Sequence, residues 1–79
     1  MKIDLKFIQM VIKSSLNLKN YKLNLNSKFE KIPKWDSLGY MKMISEIESR
    51  LKLNIDIDEI VEANTVINLI EILNKKLKK

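Results

Sequence analysis

Between residues 2 and 16 apolar side chains recur at steps of three and four, as Leu5, Ile8, Val11, Ile12 and Leu16. That spacing stacks them along one side of an α-helix, so it predicts a first helix over about 2–15. Residues 16–35 lose the period: Leu18, Tyr21, Leu23, Leu25, Phe29 and Ile32 are scattered among Asn, Lys and Pro33. A long loop is expected there, and its apolar anchors favour an ordered one. The alternation at Leu16, Leu18, Leu23 and Leu25 leaves a short strand as the alternative, though a lone strand finds no partner elsewhere in the chain.

The helical period returns at Tyr40, Ile44, Ile47 and Leu51, predicting a second helix over about 37–51 that Asp36 can cap. Asn54 to Ile57 break it. Asp56 or Asp58 can cap a short third helix over about 57–62, and Asn64 or Thr65 opens a fourth over about 65–77. Val66, Leu69, Ile70, Leu73 and Leu77 form the inner stripe of that last helix, and Lys75, Lys76, Lys78 and Lys79 make a solvated tail. One Gly and one Pro are too few for the turns of an all-β fold. The expected architecture is all-α, a small four-helix bundle in one domain over 1–79, with a long first connection and one short helix.

Composition narrows the chemistry. The 79 residues include no Cys and no His, which excludes a disulfide framework, a zinc site of the usual ligands, a Ser-His-Asp triad and a thiol nucleophile. No apolar run is long enough to span a bilayer, and charges interrupt Met1 to Lys6 where a secretory signal needs an apolar stretch. Membrane insertion is not expected, and a cytoplasmic location is. The net charge of +5 on its face invites an anionic partner such as nucleic acid. Divided along the chain it reads otherwise. Residues 1–34 hold eight Lys against Asp4 and Glu30, a net of +6, whereas residues 35–73 hold three cations against eight acids, a net of −5. Arg, the residue best suited to bidentate contacts with bases and phosphates, occurs once, as Arg50. A nucleic-acid partner is therefore not expected. A basic helical nucleic-acid-binding module and a structural helical adaptor remain the alternatives, and neither accounts for Asp36-Ser37-Leu38.

That tripeptide places a serine at the first turn of a helix, after a long loop and before an amphipathic run. With no His base and no glycine-rich elbow around it, Ser37 is not expected to be a hydrolytic nucleophile. The motif resembles the attachment site of acyl carrier proteins. The resemblance runs from Asp36 to about Leu73, through Asp58-Glu59-Ile60-Val61-Glu62 and Thr65-Val66, roughly half the chain. Upstream it is in kind only: an amphipathic first helix, then a loop with an anchoring aromatic, Phe29.

The resemblance implies that a separate phosphopantetheinyl transferase joins Ser37 to 4′-phosphopantetheine from coenzyme A. The protein is then no enzyme but a carrier of acyl or aminoacyl groups as thioesters, its missing sulfur arriving on a cofactor. A helix N-terminus favours the phosphodiester charge through its dipole and unpaired N–H groups. Asp36 partly opposes that field, and its implied role is recognition by the transferase. Leu38 and Met41 match positions that touch partner enzymes, with ordinary core packing as the alternative. Glu46, Glu48, Asp56, Asp58, Glu59 and Glu62 match an acidic partner-facing surface, Glu48 foremost, with a plain solvated face as the alternative. Ile44, Ile47, Ile60, Ala63, Leu69 and Ile70 match positions lining an acyl pocket, and the same residues would build a core in any case. No metal site is expected, because Asp56 to Glu59 lack the glycine and ligand spacing of a calcium loop.

Three departures bear on partners. Lys34 and Trp35 stand before Asp36, where carriers of primary fatty-acid synthesis usually have a glycine nearby, and Trp35-Asp36-Ser37-Leu38 looks more like dedicated, free-standing carriers. Lys42 takes a typically acidic position, and Ser45 a typically apolar one. The expectation is a monomeric carrier in a specialised pathway, served by acyl- or aminoacyl-activating and transferring enzymes.

Overall fold

Asp4 starts the first helix. Its carboxylate accepts the Phe7 N–H at 2.9 Å, and α1 then runs Leu5–Leu16 with Ile8, Val11, Ile12 and Leu16 buried. The computed structural model describes residues 2–18, 21–33 and 35–78, except the side chain of Ser37. The expected helix start at residue 2 is corrected to Leu5, because Asp4 is an extended N-cap and the backbone of Ile3 before it bonds elsewhere. Asn74 clasps it, accepting the Ile3 N–H at 2.6 Å and donating to its carbonyl at 3.0 Å.

α1 ends at Asn17, whose left-handed backbone (φ 57°) lets the N–H groups of Asn17 and Leu18 both reach the Lys13 carbonyl. In the connection that follows, the side chain of Gln9 replaces a strand. Its Nε2 donates to the Tyr21 carbonyl at 2.6 Å and its Oε1 accepts the Leu23 N–H at 2.7 Å. Phe29–Lys31 form one 3₁₀ turn that buries Phe29.

The described residues contain no strand, but the partner judged missing exists. The segment around 25–29 lies against the entry to the last helix, α4 (Val66–Leu77). The Val66 N–H donates to the Ser27 carbonyl and the Ile67 N–H to the Leu25 carbonyl, while the Phe29 N–H donates to the Asn64 carbonyl, each at 3.0 Å. Lys28 and Thr65 form an isolated antiparallel bridge. Thr65 caps the helix, its Oγ1 accepting the Asn68 N–H at 3.3 Å. The first N–H groups of α4, which have no acceptor within the helix, are thus satisfied by loop and cap.

Between these, α2 spans Ser37–Leu51 and α3 only Ile57–Ile60, two residues short of the expected end at 62, because the backbone turns after Val61. α1 packs chiefly on α2 and also on α4, and α3 packs on α4. The core draws on every element. Met43, absent from the expected stripe, is fully buried in it, and no described polar side chain is buried. The architecture is all-helical.

Candidate functional site

The chain enters α2 through an aromatic rack. The rings of Phe29 and Trp35 stack at 5.1 Å between centroids, and Trp35 meets Tyr40 edge-on at 5.5 Å. Such contacts fix the loop against the helix beyond what apolar burial alone contributes. Tyr40 also donates its hydroxyl to the Ile60 carbonyl at 3.2 Å, and partial burial raises its pKa above the usual tyrosine value. The first turn of α2 is therefore held from the loop side by Trp35 and from the α3 side by Tyr40. Lys34, one of the expected departures, lies outside the described residues.

Asp36 is the N-cap. In extended backbone (φ −152°) it accepts the Gly39 N–H on Oδ1 at 2.7 Å, and its carbonyl takes the Tyr40 N–H at 2.9 Å. Ser37 is the first residue of the helix; its side chain lies outside the described residues. Leu38 follows at 63% exposed, and Met41, one turn on, is 43% exposed. Both were open between surface and core, and both lie on the surface. The sole glycine, Gly39, is buried where α2 faces the end of α1, lining a crevice with Ser15, Leu16 and Asn17. A larger side chain there would fill that crevice.

Residues 7–73 match the family model described as "Phosphopantetheine attachment site". The chain belongs to that family of carrier domains. The fold agrees: the solution structure of a holo acyl carrier protein from Geobacter metallireducens superposes with a TM-score of 0.82, covering 94% of this chain and 85% of that one at 23% identity. No match is found among curated proteins.

A carrier domain holds phosphopantetheine covalently, and the start of α2 fits a phosphodiester. The Leu38 N–H has no acceptor among the described residues, and it points, with the helix dipole, toward the entry of the helix where Asp36 is exposed. No described element covers the exposed Leu38.

The other residues singled out in the sequence separate into two groups. Ile44, Ile47, Ile60, Ala63, Leu69 and Ile70 are all buried in the core, and Ala63 also lines a surface groove with Phe29, Trp35, Tyr40 and Val61. The acids are largely engaged within the carrier domain. Glu48 is half-buried and accepts the Ile55 N–H at 2.8 Å; Glu46 pairs with Arg50 at 2.8 Å. Glu59 accepts the Asp56 N–H at the start of α3 and pairs with Lys76 at 3.0 Å. Asp58 and Glu62 are exposed beside Val61, which is 60% exposed. Sequence reading missed Asp4 as a cap, although a short carboxylate before an apolar-periodic run was signal enough. It also missed Gln9 and Asn74, whose bonds reach across sequence distances that periodicity does not register.

Proposed function

We propose that Ser37 bears the 4′-phosphopantetheine and that this carrier presents acyl or aminoacyl groups to a restricted set of enzymes in a specialised pathway. The observation that carries the reading is the placement of Ser37 as first residue of a helix capped by Asp36, with Leu38 exposed beside it. Bound there, the cofactor supplies the thiol that a chain without Cys lacks. The chain's own residues supply the rest. The dipole and the Leu38 N–H favour the phosphate, and the exposed carboxylate of Asp36 marks the site for the transferase. Leu38 and Met41 offer partner enzymes an apolar contact beside the serine, and Asp58 and Glu62 offer charge at the edge of α3. Ala63 lines a surface groove, and Ile44, Ile47, Ile60, Leu69 and Ile70 belong with it to the apolar interior that an aliphatic cargo would enter.

Restriction to particular partners is supported by Trp35, built into the aromatic rack, and by Lys42 and Ser45, both exposed on α2. Incubation with a broad phosphopantetheinyl transferase, coenzyme A and Mg²⁺, followed by intact mass measurement, tests the attachment. The wild type is expected to gain one phosphopantetheine and Ser37→Ala none; a wild type inert to several transferases would sink the reading. Full replacement of the housekeeping carrier in a reconstituted fatty-acid synthase would contradict the restriction alone.

A further inference from the structure

A trough runs between α1 and α2 from the start of α2 to Arg50. The helices lie antiparallel, since Ser15 to Asn17 of α1 flank the first turn of α2, while Met10 lies against Arg50, its sulfur 3.8 Å from Nη1. The crevice at the first turn, lined by the cap Asp36 and by Leu38, Gly39 and Lys42 from α2, shares Ser15, Leu38 and Lys42 with a larger open trough of about 770 Å³. The two therefore adjoin. We infer that this trough is the resting site of the unloaded pantetheine chain, an inference that rests on Ser37 being the attachment point.

Its lining offers each kind of contact that chain needs. Lys42 supplies a cation suited to a phosphodiester, and the exposed Leu38 and Met41 supply the apolar contact that the two methyl groups of pantoate need. Met41 stands four residues after Ser37, so the two positions share one stripe of the helix. Hydroxyls complete the lining, from Ser14 and Ser15 on α1, with Ser15 beside the first turn of α2, and from Ser45 and Ser49 farther along α2. Hydroxyls both donate and accept, which matches the amide groups that follow pantoate in the chain. Ser15 donates its proton to the Val11 carbonyl at 2.8 Å, leaving its lone pairs to accept an amide N–H.

Length agrees as well. At 1.5 Å per residue, Ser45 stands about 12 Å and Ser49 about 18 Å along the axis from Ser37. The pantetheine chain is about as long as an extended peptide of four or five residues, roughly 15 Å. Its thiol end therefore falls between these serines, alongside Glu46, which pairs with Arg50. This site lies on the other side of α2 from the groove at Ala63, so an aliphatic cargo entering the core would draw the arm out of it.

Nuclear magnetic resonance of the isotope-labelled full chain before and after transferase treatment tests this, with intact mass establishing that modification has occurred. The expected result is a set of amide shift changes at Ser14, Ser15, Ser45 and Ser49, with nuclear Overhauser contacts from the pantoate methyls to Met41. The exposed substitution Ser45→Phe, which fills the trough, is expected to abolish the changes at Ser14 and Ser49 while leaving the mass gain intact. Modified wild-type protein whose shift changes stay within 35–41, or move to Tyr40, Val61 and Ala63, overturns the inference and leaves the attachment standing. No mass gain overturns the attachment reading, and this inference with it.

Discussion

The Ile55 N–H donates to Glu48 Oε2 across 2.8 Å, so a carboxylate on α2 clasps the backbone that leads into α3. The backbone carbonyl of Glu48 is also engaged, accepting the N–H groups of Lys52 and Leu53 as the helix ends. A residue marked out in the sequence for contact with partners thus has a structural task of its own. Glu48→Ala is expected to lower unfolding free energy by about 1–2 kcal/mol, because it removes a charge-assisted hydrogen bond and strands a backbone donor. Glu48→Gln, which keeps an acceptor, should lose less. Urea denaturation checks both, and an alanine variant within about 0.5 kcal/mol of wild type would return Glu48 to the solvated face.

Trp35 joins the loop to α2 through rings on both sides. Trp35→Ala is expected to cost about 2 kcal/mol, less than a fully buried aromatic because Trp35 is only half-buried. Trp35→Phe should recover part of that. If the rack positions the serine, the alanine variant also slows phosphopantetheine transfer, read as rate of mass gain under conditions where the protein is still folded. An unchanged rate would confine Trp35 to stability.

Burial raises the pKa of Tyr40, so its neutral form is favoured in the folded chain. The unfolded chain ionises this group at about 10, the folded chain only at higher pH. The stabilising effect is therefore complete below pH 10 and is lost as pH rises through the folded-state value. Ultraviolet titration of tyrosinate, compared with Tyr40→Phe, should show the component that vanishes in the variant titrating above the ordinary tyrosine range. A component at or below that range would refute the effect.

Lys52 ends α2 in the left-handed region at φ 54°, where a side chain crowds the backbone and glycine does not. Lys52→Gly is expected to raise stability by about 0.5–1 kcal/mol, the relief of crowding being partly offset by the greater freedom of glycine in the unfolded chain. Thermal unfolding checks the sign. A lowered midpoint would mean that the Lys52 side chain contributes more than its backbone costs.

The helices were legible because amphipathic stripes need only local spacing. Ile8, Val11, Ile12 and Leu16 announce α1, and Val66, Leu69, Ile70 and Leu73 announce α4, from positions three and four apart. The place of Ser37 at the start of α2 was legible for a related reason, since a cap, a serine and an apolar stripe fall within a few residues. What escaped depends on contacts between distant parts of the chain. Nothing near Gln9 shows that its amide will stand in for a strand beside Tyr21 and Leu23, and nothing near Ser27 shows that its carbonyl will serve the helix at Val66. Exposure of Leu38 and Met41 lay in between. Both fit an amphipathic pattern, and only the way α2 is seated on the core determines that they face outward.

The carbonyls of Leu25 and Ser27 complete the first turn of α4 from a segment that precedes the serine. An ordinary helix end frays by itself, but the amides of Val66 and Ile67 can open only if this segment lifts away as well. The two stretches therefore open and close as a single unit, although all of α2 lies between them in the chain. Residues inserted around Asn26 would be felt at the last helix before they were felt at the serine.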